Sequence, residues 1–195
     1  MSRGLVAVVA VAVSLTVLAA VLSPASHTAG EPDGRPGWKS NVSGSPASAL
    51  FAGGCFWCIE AVYDDKTGVV RAVSGYAGGR AATATYRQVA TGRTEHREAV
   101  RVDYYPSVVS YEELLDAYWR SIDPTDPGGQ FSDRGPQYTT AIYAYTPRQY
   151  RLAQQSKQEL NASGRFENPV VTEILNYTTF FRAEQRHQNY SRKNS

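Results

Sequence analysis

Ala49-Leu50-Phe51-Ala52-Gly53-Gly54-Cys55-Phe56-Trp57-Cys58-Ile59-Glu60 reads as an apolar strand that stops at two glycines and a helix that starts at a cysteine. Ile59, Val62 and Tyr63 recur at helical spacing, and Gly68 marks the helix end. Val69 to Val73 then reads as a second strand, entering a turn at Gly75-Tyr76-Ala77-Gly78-Gly79. A strand, a helix and a strand in succession start an α/β layer.

The rest of the chain continues the alternation. A short helix is expected near Tyr86 to Ala90. Ala99-Val100-Arg101-Val102-Asp103-Tyr104 alternates as a half-buried strand. Ser110-Tyr111-Glu112-Glu113 is a capping box and opens a helix through Ile122, with Leu114, Leu115, Tyr118 and Trp119 on its apolar side. Asp123 to Gln137 is a long loop, and a loop of about 15 residues in a small domain is more often functional than idle. Tyr138 to Tyr145 reads as a strand. Thr146 caps a helix with Pro147 in its first turn, running to about Asn161. Val170 to Leu175 is a last strand and Glu184 to Tyr190 a last short helix. This order predicts a two-layer α/β or α+β domain, with helices covering a small sheet.

Three regions follow from composition. Arg3 precedes an uncharged apolar run, Leu5 to Leu22, and Ser23-Pro24-Ala25 supplies a small-x-small pattern. Residues 1–25 therefore read as an export signal, cut near Ala25. An uncleaved membrane anchor is the alternative, because a run of about 18 apolar residues nears the length of a membrane span. The expected location is outside the cytosol, periplasmic or otherwise extracytoplasmic, with membrane contact only through this segment. Residues 26–46 are rich in Gly, Pro and Ser and read as a flexible linker. Residues 47–195 form the domain.

The 195 residues carry a formal net charge of +2, which leaves no basic excess for bulk nucleic-acid binding. Two cysteines are too few for a disulfide-rich scaffold or a four-thiolate zinc site. The one methionine is Met1.

Cys55 sits where unpaired N–H groups and the positive end of a helix dipole favour a thiolate, the nucleophilic form of cysteine. Cys58 lies within about one helical turn, so a Cys55–Cys58 disulfide is geometrically open, the first thiol reacting and the second resolving. C-x-x-C alone also fits a structural disulfide or half a zinc site. Zinc would need two further ligands, and His27, His96 and His187 are the only histidines.

Further motifs narrow the choice. Gly53-Gly54-Cys55-Phe56-Trp57-Cys58 is followed in order by Gly75-Tyr76-Ala77-Gly78-Gly79, Thr85-Tyr86-Arg87-Gln88-Val89, His96-Arg97-Glu98-Ala99-Val100, Asp133-Arg134-Gly135-Pro136-Gln137-Tyr138 and His187-Gln188-Asn189-Tyr190. Over about Ala49 to Asn194 the chain resembles the methionine sulfoxide reductase A family. The resemblance implies an α+β fold, a two-layer sandwich with a ferredoxin-like core whose small mixed sheet is covered by helices. It implies Cys55 as nucleophile, Glu98 as the acid that protonates the sulfoxide oxygen, and Cys58 as resolving thiol. It matches Tyr86 and Tyr138 to the oxygen-binding tyrosines, Phe56 and Trp57 to the aromatic wall around the substrate methyl group, and Asp133 to a loop aspartate acting through water and Tyr138. It implies the S epimer of methionine sulfoxide, free or in an oxidised protein or peptide, a thioredoxin-like reductant, and neither metal nor cofactor. A monomer is expected.

The residue chemistry is compatible with those roles. A carboxyl in apolar surroundings holds its proton to higher pH, and a phenol donates to an oxygen on which charge develops. Read alone, Glu98 is equally a surface residue at an alternating strand position. Asp133 is then a turn residue, and the aromatic side chains are packing residues. Gly92-Arg93-Thr94-Glu95-His96 departs from the family's acidic-Thr-Gly-His lead. No cysteine follows Cys58, which leaves it as the available intramolecular resolver.

Overall fold

The computed structural model describes Met1 and residues 42–194. The expected export segment, apart from Met1, and most of the expected linker lie outside the described residues. Among the described residues no helix is long and apolar enough to cross a membrane.

The elements are β1 (Ala47–Ala52), α1 (Phe56–Asp64), β2 (Val69–Ala77), α2 (Tyr86–Val89), β3 (Arg97–Tyr104), α3 (Tyr111–Ser121), β4 (Gly129–Gln130), β5 (Asp133–Arg134), β6 (Ala141–Ala144), α4 (Pro147–Ala162), β7 (Glu173–Asn176), β8 (Phe180–Arg182) and α5 (Tyr190–Lys193). The main sheet has six strands in the order β7-β6-β1-β3-β2-β8. The inner four, β6-β1-β3-β2, pair antiparallel throughout, which is the ferredoxin-like arrangement. Parallel pairing of β7 with β6 makes the sheet mixed. The expected two-layer α+β fold is therefore the fold observed.

Strand periodicity decides what each face carries. Ala49 and Phe51 of β1 and Val100, Val102 and Tyr104 of β3 point into the helix layer. There they meet Ile59 and Tyr63 of α1, Leu114, Leu115 and Tyr118 of α3, and Ala153 of α4. Phe51 stacks on Tyr63 at 5.4 Å and on Tyr118 at 5.1 Å between ring centroids. Two buried hydroxyls find carbonyl acceptors, Tyr63 donating to Leu114 at 3.0 Å and Tyr118 to Ala52 at 2.7 Å. The opposite face carries Leu50, Ala52, Ala77, Ala99, Ala141 and Tyr143. Glu98 shares its parity with Val100 and Val102, so the pleat sends its carboxyl into the helix layer.

Several expected boundaries move, each for a packing reason. Gly75 is a strand residue, not a turn. A Cβ there would lie 2.3 Å from the Phe181 carbonyl oxygen and 2.4 Å from the Phe180 ring, so the glycine permits close packing of β8, a strand too short to read in the sequence. Tyr138 ends a 3-10 turn, Pro136–Tyr138, and the strand begins at Ala141. The strand expected from Val170 begins at Glu173, because the Val170 amide donates to Asn161 Oδ1 and the Val171 amide to the Pro124 carbonyl. The helix expected from Glu184 to Tyr190 is a 3-10 turn, Gln185–His187, followed by α5. Between them Gln188 spends its side chain on the backbone of Ser74 and Ala183, and Asn189 adopts φ 53°.

The capping box forms as expected. Ser110 Oγ accepts from the Glu113 amide at 3.1 Å, and Glu113 accepts from the Ser110 amide at 2.8 Å. Ser110→Ala is expected to destabilise the domain by about 1 kcal/mol. Thermal denaturation checks this, with a drop of roughly 2–5 °C expected for a domain of this size and an unchanged midpoint counting against the cap.

Candidate active site

The site is built where β1 ends and α1 begins. Gly54 turns the chain at φ +87°, and a Cβ on it would lie 2.7 Å from Gln130 Cβ, so the loop carrying β4 and β5 seats directly against it. Cys55 is the N-cap residue of α1 but offers no side-chain cap. That place is taken from another strand: Glu98 Oε2 accepts the Phe56 amide at 3.0 Å. The Glu98 carboxyl therefore lies at the helix N-terminus, one residue from the cysteine, in a residue only 2% exposed.

The titration of the two groups follows from this placement. Burial lifts the Glu98 carboxyl to about 7, the Phe56 amide opposes the rise and the Asp133 charge adds to it. Burial likewise pushes the Cys55 thiol up to about 12. The Trp57 and Cys58 amides pull it down, while Glu98 and Cys58 push it further up. The thiolate expected from the helix N-terminus is thus overturned for the resting site. The amides act in the expected direction, but desolvation and a neighbouring carboxylate outweigh them. Both cysteines are free thiols, Cys55 half-buried and Cys58 exposed.

Phe56, Trp57, Tyr86, Asp133 and Tyr138 converge on the same place. Phe56 is 1% exposed and forms a floor beneath the site rather than an open wall. Its ring lies 6.3 Å from Tyr86 and 5.7 Å from Trp57. Trp57 and Tyr86 are half-exposed and face each other at 6.3 Å. Burial raises the Tyr86 phenol, and the charges of Glu98, Cys55 and Asp133 also bear on it. Burial pushes Tyr138 to about 12, with Glu98, Tyr86 and Asp133 contributing. Both phenols stay protonated at neutral pH and remain hydrogen-bond donors. Asp133, on β5, acts on Glu98, Tyr86 and Tyr138 through its charge.

Three further residues shape the site. Glu184 bridges two tyrosines, accepting the Tyr76 hydroxyl at 2.8 Å and the Tyr86 amide at 3.1 Å, and so fixes the start of α2. His187 stacks on Tyr86 at 4.3 Å, and Tyr190 stacks on Trp57 at 3.9 Å. The last two were visible as the closing His-Gln-x-Tyr motif. Glu184 carried no signal, since its partners are about a hundred residues away in the chain. His96 is structural: it accepts the Gly79 amide at 3.2 Å and donates to the Arg80 carbonyl at 3.0 Å. Among the described residues no group of three or more His, Cys, Asp or Glu is placed to hold a metal ion.

Comparison with known proteins agrees with this geometry. The family model described as peptide methionine sulfoxide reductase matches residues 47–195. Peptide methionine sulfoxide reductase MsrA of Bacillus pumilus is 50% identical over 146 residues, covering 75% of this chain and 82% of the relative. Among solved structures, reduced Mxr1 of Saccharomyces cerevisiae superposes with a TM-score of 0.72 at 30% identity, covering 77% of this chain and 86% of that one. Methionine sulfoxide reductase A of Corynebacterium diphtheriae superposes at 0.68 with 33% identity, covering 78% and 76%. Mxr1 is also solved in complex with Trx2.

The raised Glu98 carboxyl has a consequence for stability. Its folded value, about 7, exceeds the unfolded carboxyl value of roughly 4.3. The folded state then holds the proton more tightly, so stability is full below pH ~4.3 and is lost as pH rises to about 7. Glu98→Gln keeps an acceptor for the Phe56 amide and removes the titration. The variant is expected to unfold at a higher temperature than the parent at pH 8, with the gap closing at pH 4. A gap that stays constant with pH would contradict the buried, raised carboxyl.

Proposed function

The chain belongs to the peptide methionine sulfoxide reductase family, and on that premise we propose how its residues divide the reduction of methionine sulfoxide. The observation that carries the reading is the buried Glu98 carboxyl held at the α1 N-terminus beside Cys55. A substrate methyl group packs against Trp57 and Tyr86 over the Phe56 floor. Its oxygen faces the Tyr86 and Tyr138 hydroxyls, which donate as charge builds there.

Cys55 Sγ attacks the sulfoxide sulfur. The thiol proton passes to the Glu98 carboxylate and from there to the sulfoxide oxygen, so the step takes up no net proton. The sulfur–oxygen bond of the substrate breaks as the protonated oxygen passes to Cys55 Sγ. The transient bond between Sγ and the substrate sulfur breaks with its electron pair returning to that sulfur, methionine leaves, and Cys55 is left as a sulfenic acid. A carboxyl titrating at about 7 is matched to this relay, since near neutral pH it is as ready to take the proton as to give it. The exposed Cys58 thiol then condenses with the sulfenic acid, forming a Cys55–Cys58 disulfide and releasing water. A thioredoxin-like dithiol restores both thiols by exchange. The known complex of Mxr1 with Trx2 supports that class of reductant.

The finer assignments are the S epimer, with the sulfoxide free or in a polypeptide, and repair of oxidised proteins outside the cytosol. The last rests on the apolar run Leu5 to Leu22 and the Ser23-Pro24-Ala25 pattern.

Mass spectrometry after one equivalent of methionine S-sulfoxide tests the cycle. The protein should become lighter by two hydrogens, mapped to a Cys55–Cys58 bridge. Cys58→Ser should still complete one reduction, gain one oxygen at Cys55, and lose turnover with thioredoxin. Undiminished thioredoxin-driven turnover in Cys58→Ser, or reducing activity confined to the R epimer, would overturn the assignment.

A further inference from the structure

β4 and β5 form a two-stranded hairpin whose connecting residues are Phe131 and Ser132. Phe131 has φ +50°, in the left-handed region. That conformation suits glycine or asparagine, and any bulky side chain in it is strained. The residue is also 72% exposed. The other exposed large apolar residues of the described domain, Val108, Val171 and Tyr177, lie between 37% and 39%. A strained backbone normally persists because packing holds it, yet this ring packs on little in the free protein.

The hairpin itself is firmly built. Gln130 is 1% exposed, accepts the Asp123 amide at 2.7 Å and donates to the carbonyls of Asp123 at 2.8 Å and Gly129 at 2.6 Å. Arg134 pairs with Asp126, and the Gly135 amide donates to the Gly128 carbonyl at 2.9 Å. Both neighbours of the loop belong to the active-site wall. Gln130 seats against Gly54, next to Cys55. Asp133 bears by charge on Glu98, Tyr86 and Tyr138. Phe131 therefore stands on a fixed support at the rim of the site.

Resting on the reading of this site as a methionine sulfoxide reductase, we propose that Phe131 is a specificity-determining contact for polypeptide substrates. It receives an apolar side chain that flanks the oxidised methionine. Two methylenes separate the sulfur of methionine from its own backbone, so a polypeptide whose sulfoxide reaches Cys55 runs across the rim. The residues beside the methionine then meet whatever the rim presents. An exposed phenyl ring on a rigid hairpin selects apolar neighbours over charged ones, and it offers nothing to the free amino acid. Methionine is itself apolar and is commonly buried, so its neighbours in partly unfolded, oxidised proteins supply that chemistry.

The test uses the full chain with Phe131→Asn and dithiothreitol as reductant, so that recycling by a protein partner plays no part. Asparagine tolerates the left-handed conformation, so the variant should unfold at or above the parental temperature. The substrates are free methionine sulfoxide, a peptide with leucines flanking the sulfoxide, and the same peptide with glutamates there. The expected result is a loss of about tenfold in kcat/KM for the leucine peptide, the scale of one partly buried phenyl contact. The free amino acid should change less than about twofold, and the parental preference for leucine over glutamate should collapse. An equal loss on all three substrates would overturn the proposal and leave Phe131 a support of the hairpin. No loss on any would overturn it also, as would a loss seen only when thioredoxin replaces dithiothreitol, which assigns the ring to the reductant. Failure of the parental protein to reduce any of the three would instead sink the catalytic reading on which the proposal rests.

Discussion

The hydrogen bond from the Phe56 amide to the Glu98 carboxylate ties the centre of the sheet to the first turn of α1. It satisfies one of the amides that a helix N-terminus leaves open, and it does so with a residue from a neighbouring strand rather than with the N-cap. The rest of the site is arranged around that choice. With Glu98 accepting the Phe56 amide, Cys55 is not needed as a side-chain cap, and its sulfur faces the Trp57 and Cys58 amides, available for chemistry. The same carboxylate keeps the thiol protonated at rest, since burial and a neighbouring negative charge both disfavour a thiolate. Nucleophile and proton carrier are thus set against each other, and together they hold the one proton that sulfoxide reduction must move.

The surrounding aromatic residues make that balance possible. Phe56 beneath the site packs on Tyr76, Tyr86 and His187, and the layer excludes water from the carboxyl. Glu184 pins the start of α2 through the Tyr86 amide, which fixes a phenol that must meet the oxygen. The closing segment, with Tyr190 stacked on Trp57 and Gln188 bonded into β2, holds the outer wall. In this fold the C-terminal segment is part of the active site and not a trailing end.

Much of this was legible in the sequence, and the misses have physical causes. The strand–glycine–helix signature, the capping box and the alternating run Ala99 to Tyr104 gave the two-layer α/β or α+β domain, and the family resemblance supplied its ferredoxin-like core. Extending that alternation by one step places Glu98 on the buried face, a sign available in the sequence beside the family resemblance. Illegible were features decided by distant packing. β8 has three residues and β4 and β5 two each, too few for any period to emerge. Gly75 looks like a turn residue and is a packing residue, because its neighbour arrives from about a hundred positions on. Glu184 sits in what reads as a helix. The thiolate expectation failed because helix position is local and desolvation is not.

The pH dependence of a single turnover probes the shared proton most directly. Rapid mixing of the reduced protein with methionine S-sulfoxide, between pH 5 and 9, gives the rate of methionine release. If Glu98 relays the Cys55 proton, the rate rises along a limb with a midpoint near its value of about 7 and then levels. In Glu98→Gln the limb disappears and the rate falls by about 10²–10⁴. A parental rate that instead declines through pH 7, or a Glu98→Gln variant that keeps the parental rate, would contradict the account.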